Sequence, residues 1–172
     1  MNINTYLKKY LKPLLNKHMV VLDATVGNGN DTLFLCENCK FVYGFDIQKE
    51  ALIKAGKKLI NYNNYKLYLS SHHLLADYIK EELDLAIFNL GYLPNSHSKI
   101  KTIKETTVIA IDKAYKLLKN GAYLCLSIYF HSYDEFHAIN NFLENKQIKI
   151  LHIYRDDKVN SALLYIIRKV IT

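Results

Sequence analysis

The chain has 172 residues, of which 50% are hydrophobic, and a formal net charge of +7. This length suits one domain, with a full sheet and flanking helices over residues 1–172 and a helical cap at 1–17. No apolar run approaches the roughly 18 residues that a membrane-spanning helix needs, and the N-terminus lacks a signal-peptide pattern, so we expect a cytoplasmic protein without a membrane partner.

The N-terminal segment predicts an amphipathic helix over residues 3–17, with a kink or boundary at Pro13. Further along, strand and helix patterns alternate and predict β-α units. Two final strands without a helix between them predict an antiparallel hairpin. The predicted strands cover residues 20–23, 41–46, 65–69, 83–90, 122–130, 147–154 and 161–168, and the later main helices cover 30–38, 48–61, 104–118 and 134–145.

The stretch from Val20 to Leu33 organises the chain. Apolar strand residues run into a turn with Gly27 and Gly29, and glycine lets a ligand approach the main chain closely. The second strand ends in Asp46, about 20 residues past the glycines, where a carboxylate accepts hydrogen bonds from ribose hydroxyls. This pattern predicts a nucleotide-like ligand at the ends of the first two strands.

Thr32 separates two classes of cofactor. A dinucleotide fingerprint requires a third glycine at this position, so Thr32 argues against a nicotinamide-dependent oxidoreductase. Read from Asp23 as Asp-x-Thr-x-Gly-x-Gly, the stretch resembles motif I of class I S-adenosylmethionine methyltransferases, with Thr25 in place of the usual first glycine. The resemblance implies an α/β, Rossmann-like fold with a seven-stranded, mostly parallel sheet of order 3-2-1-4-5-7-6, helices on both faces and a C-terminal antiparallel hairpin.

The end of the fourth strand reads Asn-Leu-Gly-Tyr from Asn89 to Tyr92, with Pro94 two residues later. Methyl transfer to an amine needs the nitrogen lone pair to be aligned with the methyl carbon. The Asn89 oxygen can accept an amine proton, and Tyr92 can stack on a planar group. The motif resembles the Asn-Pro-Pro-Tyr signature of N-methyltransferases, without its prolines, and predicts Asn89 and Tyr92 as catalytic residues.

Three further side chains have open roles. His72 follows the third strand, where adenine would lie, although two adjacent histidines also suit an ordinary loop. His131, at the end of the fifth strand, and Asp31 are candidate bases for the amine proton. His131 can equally hold its loop, because the proton can leave to water.

The cysteines predict no catalytic or metal site. Cys36 and Cys39 form C-x-x-C, but no second pair at ligand spacing completes a zinc site. They end a predicted helix, away from the helix start that would stabilise a thiolate.

Lysines cluster in two places, which suits either contact with nucleic-acid phosphates or an ordinary solvated surface. The two clusters are Lys8, Lys9, Lys12 and Lys17, and Lys99, Lys101 and Lys104.

The three strand-end motifs together resemble the small bacterial methyltransferases labelled rRNA methylases, of the MnmM type. The resemblance implies N-methylation of 5-aminomethyl-2-thiouridine at tRNA position 34, giving the 5-methylaminomethyl form, with the basic patches on the anticodon stem-loop. It also implies that S-adenosyl-L-methionine is the cofactor. The residues expected to bind that cofactor are Asp23, Thr25, Gly27, Asn28, Gly29, Asp31, Thr32, Asp46, Ile47, Gln48, His72 and Asn89.

Other functions remain open from the sequence. Methylation of rRNA, or of a small-molecule or protein amine, would use the same cofactor site. A non-catalytic RNA-binding module could keep the fold without methyl transfer. A homodimer is a further expectation, because exposed apolar helix faces in such domains often pair.

Overall fold

The computed structural model describes residues 1–90, 104–129, 133–156 and 162–170. Seven strands form one sheet in the order β3-β2-β1-β4-β5-β7-β6. The first five strands in that order are mutually parallel, and β7 is antiparallel to β5 and β6. The predicted Rossmann-like class I methyltransferase architecture is therefore confirmed. The strands are β1 Val20–Asp23, β2 Phe41–Asp46, β3 Tyr65–Leu69, β4 Leu83–Leu90, β5 Leu118–Tyr129, β6 Ile150–Arg155 and β7 Ala162–Arg168.

Helices cover both faces of the sheet. One buried cluster joins α1, α2 and the end of α3 to the sheet through Leu7, Leu35 and Leu59, and the other joins α4 and α5 to the opposite face through Leu75 and Ile111. A parallel sheet covered on both faces explains why β4 is almost continuously apolar. The helices are α1 Ile3–Leu11, α2 Asn30–Asn38, α3 Lys49–Lys58, α4 Leu75–Tyr78, α5 Lys104–Leu117 and α6 Tyr133–Asn145.

The first helix is shorter than predicted. The helix predicted over 3–17 ends at Leu11, before the kink or boundary predicted at Pro13. Pro13 has no backbone N–H and cannot continue the helical ladder. The amides of Leu14 and Leu15 both donate to the Leu11 carbonyl and close a turn instead.

The fifth strand begins at Leu118, four residues before its predicted start at Ala122. Leu118 pairs with Leu83 of β4. Gly121 has a φ of +82°, and its amide donates to the Lys169 carbonyl at 2.7 Å. Asn120 and Gly121 form a residue pair that is common in turns. Here the bond to Lys169 keeps the pair within the strand.

Two other boundaries differ from the prediction. The third helix ends at Lys58, before the predicted 61, and the sixth strand begins at Ile150 and not at 147. Gln147, with a φ of 53°, lies in the turn that follows α6.

The three cysteines are free and buried in the core. Burial raises the pKa of Cys36 and Cys125 to about 12 and the pKa of Cys39 to about 11. Thiols with such pKa values stay protonated at neutral pH, so these side chains act as small core residues.

Within the described ranges, no helix has the length and apolar character needed to cross a bilayer. The same residues contain no group of three or more His, Cys, Asp or Glu side chains placed to hold a metal ion.

Gly29, the residue directly before α2, packs against Ala55 of α3. Its φ is +75°, and an added Cβ would lie 2.8 Å from the Cβ of Ala55. We expect Gly29→Ala to lower the free energy of unfolding by roughly 2–4 kcal/mol, because left-handed backbone and overpacking each carry a cost.

Gly56→Ala is the matched control. Gly56 lies within α3, and an added Cβ would meet nothing within 4 Å. The free energy of unfolding should rise by about 0.5–1 kcal/mol through helix propensity. Urea unfolding followed by circular dichroism measures both variants, and a similar value for the two would contradict the packing role of Gly29.

Candidate active site at the carboxyl edge of the sheet

The loop between β1 and α2 is bound to the strands on both sides of β1. The Ala24 amide donates to the Ile87 carbonyl of β4 at 2.9 Å, and the Val26 amide donates to the Phe45 carbonyl of β2 at 3.0 Å. The loop therefore lies across the carboxyl ends of three adjacent strands. In open parallel sheets, this edge is where ligands bind.

Asp46 lies at one end of this loop. Its Oδ2 accepts from the Gly27 amide at 2.8 Å, and its Oδ1 accepts from the Gln48 amide at 2.8 Å. Burial raises the pKa of Asp46, and these backbone donors act in the opposite direction. A carboxylate has about four lone-pair sites, so Asp46 keeps acceptor capacity beyond its backbone donors. Ile47 beside it is an apolar side chain with 52% of its surface exposed.

Asp23 and Thr32 bind each other inside the loop. The Thr32 hydroxyl donates to Asp23 Oδ2 at 2.6 Å, and the Thr25 amide donates to Asp23 Oδ1 at 3.1 Å. Both side chains are buried. Burial, with a smaller effect from Asp31, raises the pKa of Asp23 to about 7. The two residues brace the loop, and their contact with a cofactor stays a prediction.

Thr25 links this loop to the end of β4. Its Oγ1 accepts a hydrogen bond from the Asn89 amide at 2.7 Å. In the sequence, Thr25 differs from motif I only by replacing its first glycine. The hydroxyl at that position connects two segments that are 64 residues apart.

The Asn89 side chain meets the first helix. Its Nδ2 donates to Asn4 Oδ1 at 3.2 Å and to Asp31 Oδ2 at 3.3 Å. Lys8 Nζ lies 3.0 Å from Asp31 Oδ1. Asn4 was not among the predicted site residues, and Lys8 was predicted only as part of a lysine cluster, because the helix was expected to cover the sheet. Their spacing of four residues, which places both on one helix face, was the available signal.

His72 lies on the other side of the sheet, with its ring edge-on to Phe88 and the centroids 6.0 Å apart. Burial lowers its pKa to about 4, although a hydrogen bond to the Ala24 backbone raises it, so the ring is neutral at pH 7. A ring that donates to a backbone carbonyl through one nitrogen keeps the other as an acceptor. Its Nε2 is buried and has no hydrogen-bond partner among the described residues.

The described candidate residues therefore lie along one edge of the sheet. Gly27 and Asn28 are half-buried in the loop, and Gln48 follows Asp46. Tyr92, His131 and the lysines Lys99 and Lys101 lie outside the described residues, so their predicted roles stay predictions.

Comparisons with known proteins agree with this geometry. Residues 42–168 match the family model described as "Putative rRNA methylase". A structure described as a "putative methyltransferase" from Streptococcus mutans in complex with SAH has 35% sequence identity and a TM-score of 0.88, with 98% of each chain covered. A "putative rRNA-methylase" from Clostridium thermocellum has 32% identity and a TM-score of 0.86, again with 98% of each chain covered.

A relative from Arabidopsis thaliana is named "tRNA (mnm(5)s(2)U34)-methyltransferase, chloroplastic". It is 33% identical over 133 residues, which cover 67% of this chain and 48% of that relative. The present chain thus spans about half the length of the plant protein.

The sheet order and the strand-end site define a class I methyltransferase fold. Within that class, the chain belongs to the family described as "Putative rRNA methylase", as the resemblance predicted.

The pKa of Asp23 leads to a prediction on stability. The folded-state pKa of about 7 exceeds the ordinary value of 3.8, so protonation favours the folded state. The stabilising contribution is complete below about pH 4 and is lost as the pH rises through 7. Asp23→Asn should therefore gain stability relative to the parent between pH 5 and 8, by up to roughly 4 kcal/mol.

Urea unfolding at several pH values measures this difference. Asp84→Asn is the control, because Asp84 accepts from the Val20 amide and binds Lys119 at the opposite edge of the sheet. Parallel pH profiles for the parent and Asp23→Asn would show that Asp23 ionises normally.

Proposed function

We propose that this protein is an S-adenosyl-L-methionine-dependent methyltransferase that N-methylates the 5-aminomethyl group of 5-aminomethyl-2-thiouridine at tRNA position 34. The product is the 5-methylaminomethyl form. The observation that carries the proposal is the placement of the Asn89 amide beside the loop between β1 and α2. The name of the Arabidopsis relative, which specifies a tRNA nucleoside of this type, supports the choice of substrate.

The residues at this edge fit S-adenosyl-L-methionine. Asp46 has remaining acceptor capacity for ribose hydroxyls, and we assign the neutral ring of His72 to the adenine side of the site. Ile47 offers an exposed apolar surface for a base. When bound, the cofactor supplies an electrophilic methyl group on a sulfonium sulfur.

The protein's own part in the reaction is to orient the amine. The Asn89 carbonyl oxygen accepts an N–H of the substrate and directs the nitrogen lone pair. Both oxygens of Asp31 already accept hydrogen bonds, from Lys8 and from Asn89, which favours an orienting role for Asp31 over that of a base. The amine attacks in its neutral form, and the proton released from the nitrogen passes to water.

Positive charge beside this edge supports an RNA substrate. Lys8 and Lys58 both contact Asn30, the first residue of α2, from two different helices. Lys9 is exposed on α1, and Lys12 is exposed directly after it. Cations in such positions bind phosphates, with an affinity that falls as salt rises. The anticodon stem-loop is the part of the tRNA that we propose to lie here, and homodimer formation stays a prediction.

The cofactor site can be tested without knowing the substrate. We expect Asp46→Ala to weaken binding of S-adenosylhomocysteine at least tenfold in calorimetry, because it removes a charged acceptor and frees the Gly27 amide. Asp84→Ala is the matched control, since that carboxylate also accepts a backbone amide but lies at the amino edge. Equal affinity of Asp46→Ala and the parent would remove Asp46 from the cofactor site.

The reaction is tested on tRNA from cells that lack this protein. Nucleoside mass spectrometry after incubation with S-adenosyl-L-methionine should show 5-aminomethyl-2-thiouridine converted to its N-methylated form. We expect Asn89→Ala to lower turnover by roughly ten- to a hundredfold while the cofactor still binds. Asn64→Ala is the matched control, because Asn64 also makes two hydrogen bonds but lies before β3 at the amino edge.

No conversion despite cofactor binding would overturn the proposed substrate. The family description then makes rRNA the next substrate to test, followed by small-molecule and protein amines. Binding of tRNA without methyl transfer to any of these would favour a non-catalytic module.

A further inference from the structure

The orientation of the Asn89 amide is set by residues on two helices. Its Nδ2 carries two hydrogens, one directed to Asn4 Oδ1 on α1 and one to Asp31 Oδ2 on α2. Both donors of the side chain are therefore used within the protein. No described residue donates to Asn89 Oδ1, so that oxygen is the amide atom left for a ligand.

Asp31 makes this orientation obligatory. An ionised carboxylate can only accept hydrogen bonds, so the group that faces it must be the NH₂ and not the oxygen of Asn89. Lys8 holds the carboxylate in place, with Nζ 3.0 Å from Asp31 Oδ1 and 3.0 Å from the Asn30 carbonyl. The Asp31 side chain is only 12% exposed, which limits screening of the pair by water.

The backbone of Asn89 is fixed as well. Its amide donates to Thr25 Oγ1 at 2.7 Å, and the residue pairs with Ser127 of β5. The residue is thus held through its main chain by one loop and through its side chain by two helices.

The orientation matters because the two ends of an amide have opposite preferences. A carbonyl oxygen accepts the N–H of an amine and leaves the nitrogen lone pair free to attack. An inverted amide would donate its own N–H to that lone pair and so occupy the electrons that must attack the methyl carbon.

We propose that Asn4, Lys8 and Asp31 are positioning residues that direct the Asn89 carbonyl oxygen toward the substrate amine. The first helix is then part of the active site and not only a cover for the sheet. The role of the oxygen rests on the proposed function, whereas the orientation itself rests on the contacts described above.

The orientation can be measured in the free protein by NMR. The side-chain NH₂ signals of Asn89 are identified by their loss in Asn89→Asp. We expect Asn4→Ala and Asp31→Ala to shift these signals and to speed their hydrogen exchange by about tenfold, because each removes one acceptor. Asn2→Ala is the matched control, since Asn2 caps the same helix by accepting from the Thr5 amide and does not contact Asn89.

Kinetics on tRNA test the consequence for catalysis. Asn4→Ala should lower kcat by about tenfold, with KM and cofactor affinity within about twofold, because the lost contact orients a reacting group. Asn4→Asp keeps an acceptor oxygen and should restore most of the kcat that Asn4→Ala loses. Lys8→Arg keeps the ion pair and should likewise keep most of the kcat that Lys8→Ala loses.

Two results would overturn the proposal. One is unchanged Asn89 NH₂ signals in Asn4→Ala, and the other is an equal loss of kcat in Asn2→Ala, which would assign the effect to helix stability alone. If the parent protein methylates no tRNA while the NMR shifts occur as expected, the proposed substrate fails and the positioning network stands.

Discussion

Hydrogen bonds from the loop between β1 and α2 to the ends of both adjacent strands are the constraint on which the site depends. The loop amides of Ala24 and Val26 extend the sheet pairing past the end of β1. A buried bond between Thr32 and Asp23 then fixes the direction in which α2 leaves the loop. The protein buries a carboxylate to achieve this, and the raised pKa of Asp23 reflects the cost of burying that charge.

This loop divides the candidate site into two sides. Toward β2 lie Asp46 and Ile47. The neutral ring of His72 lies on the face of the sheet opposite α1, edge-on to Phe88. Toward β4 lies Asn89, bound to the loop through Thr25. A cofactor on the first side and an acceptor nitrogen on the second would meet across the loop, as transfer of a group between two bound partners requires. Loss of the loop geometry would therefore affect both sides together.

The first helix joins this arrangement from outside the crossover motif. Its apolar face packs on the sheet through Leu7 and Leu11, which a helical pattern predicts. Its polar positions Asn4 and Lys8 reach the end of β4 and the start of α2. A single helix thus contributes both to the core and to the candidate site. Because Asn4 and Lys8 lie far in the chain from Asn89, local patterns could not reveal their contact.

Much of the fold followed from the sequence alone. Alternating strand and helix patterns in the sequence identified all seven strands, and they placed the glycine turn and Asp46 at the carboxyl edge of the sheet. Only the tertiary structure decided that β5 begins at Leu118 and that Asn89 points its NH₂ at Asp31. Those outcomes depend on contacts between residues far apart in the chain. A spacing pattern records which residue types recur along one element, whereas an amide orientation is set by whichever donors and acceptors the folded chain brings beside it.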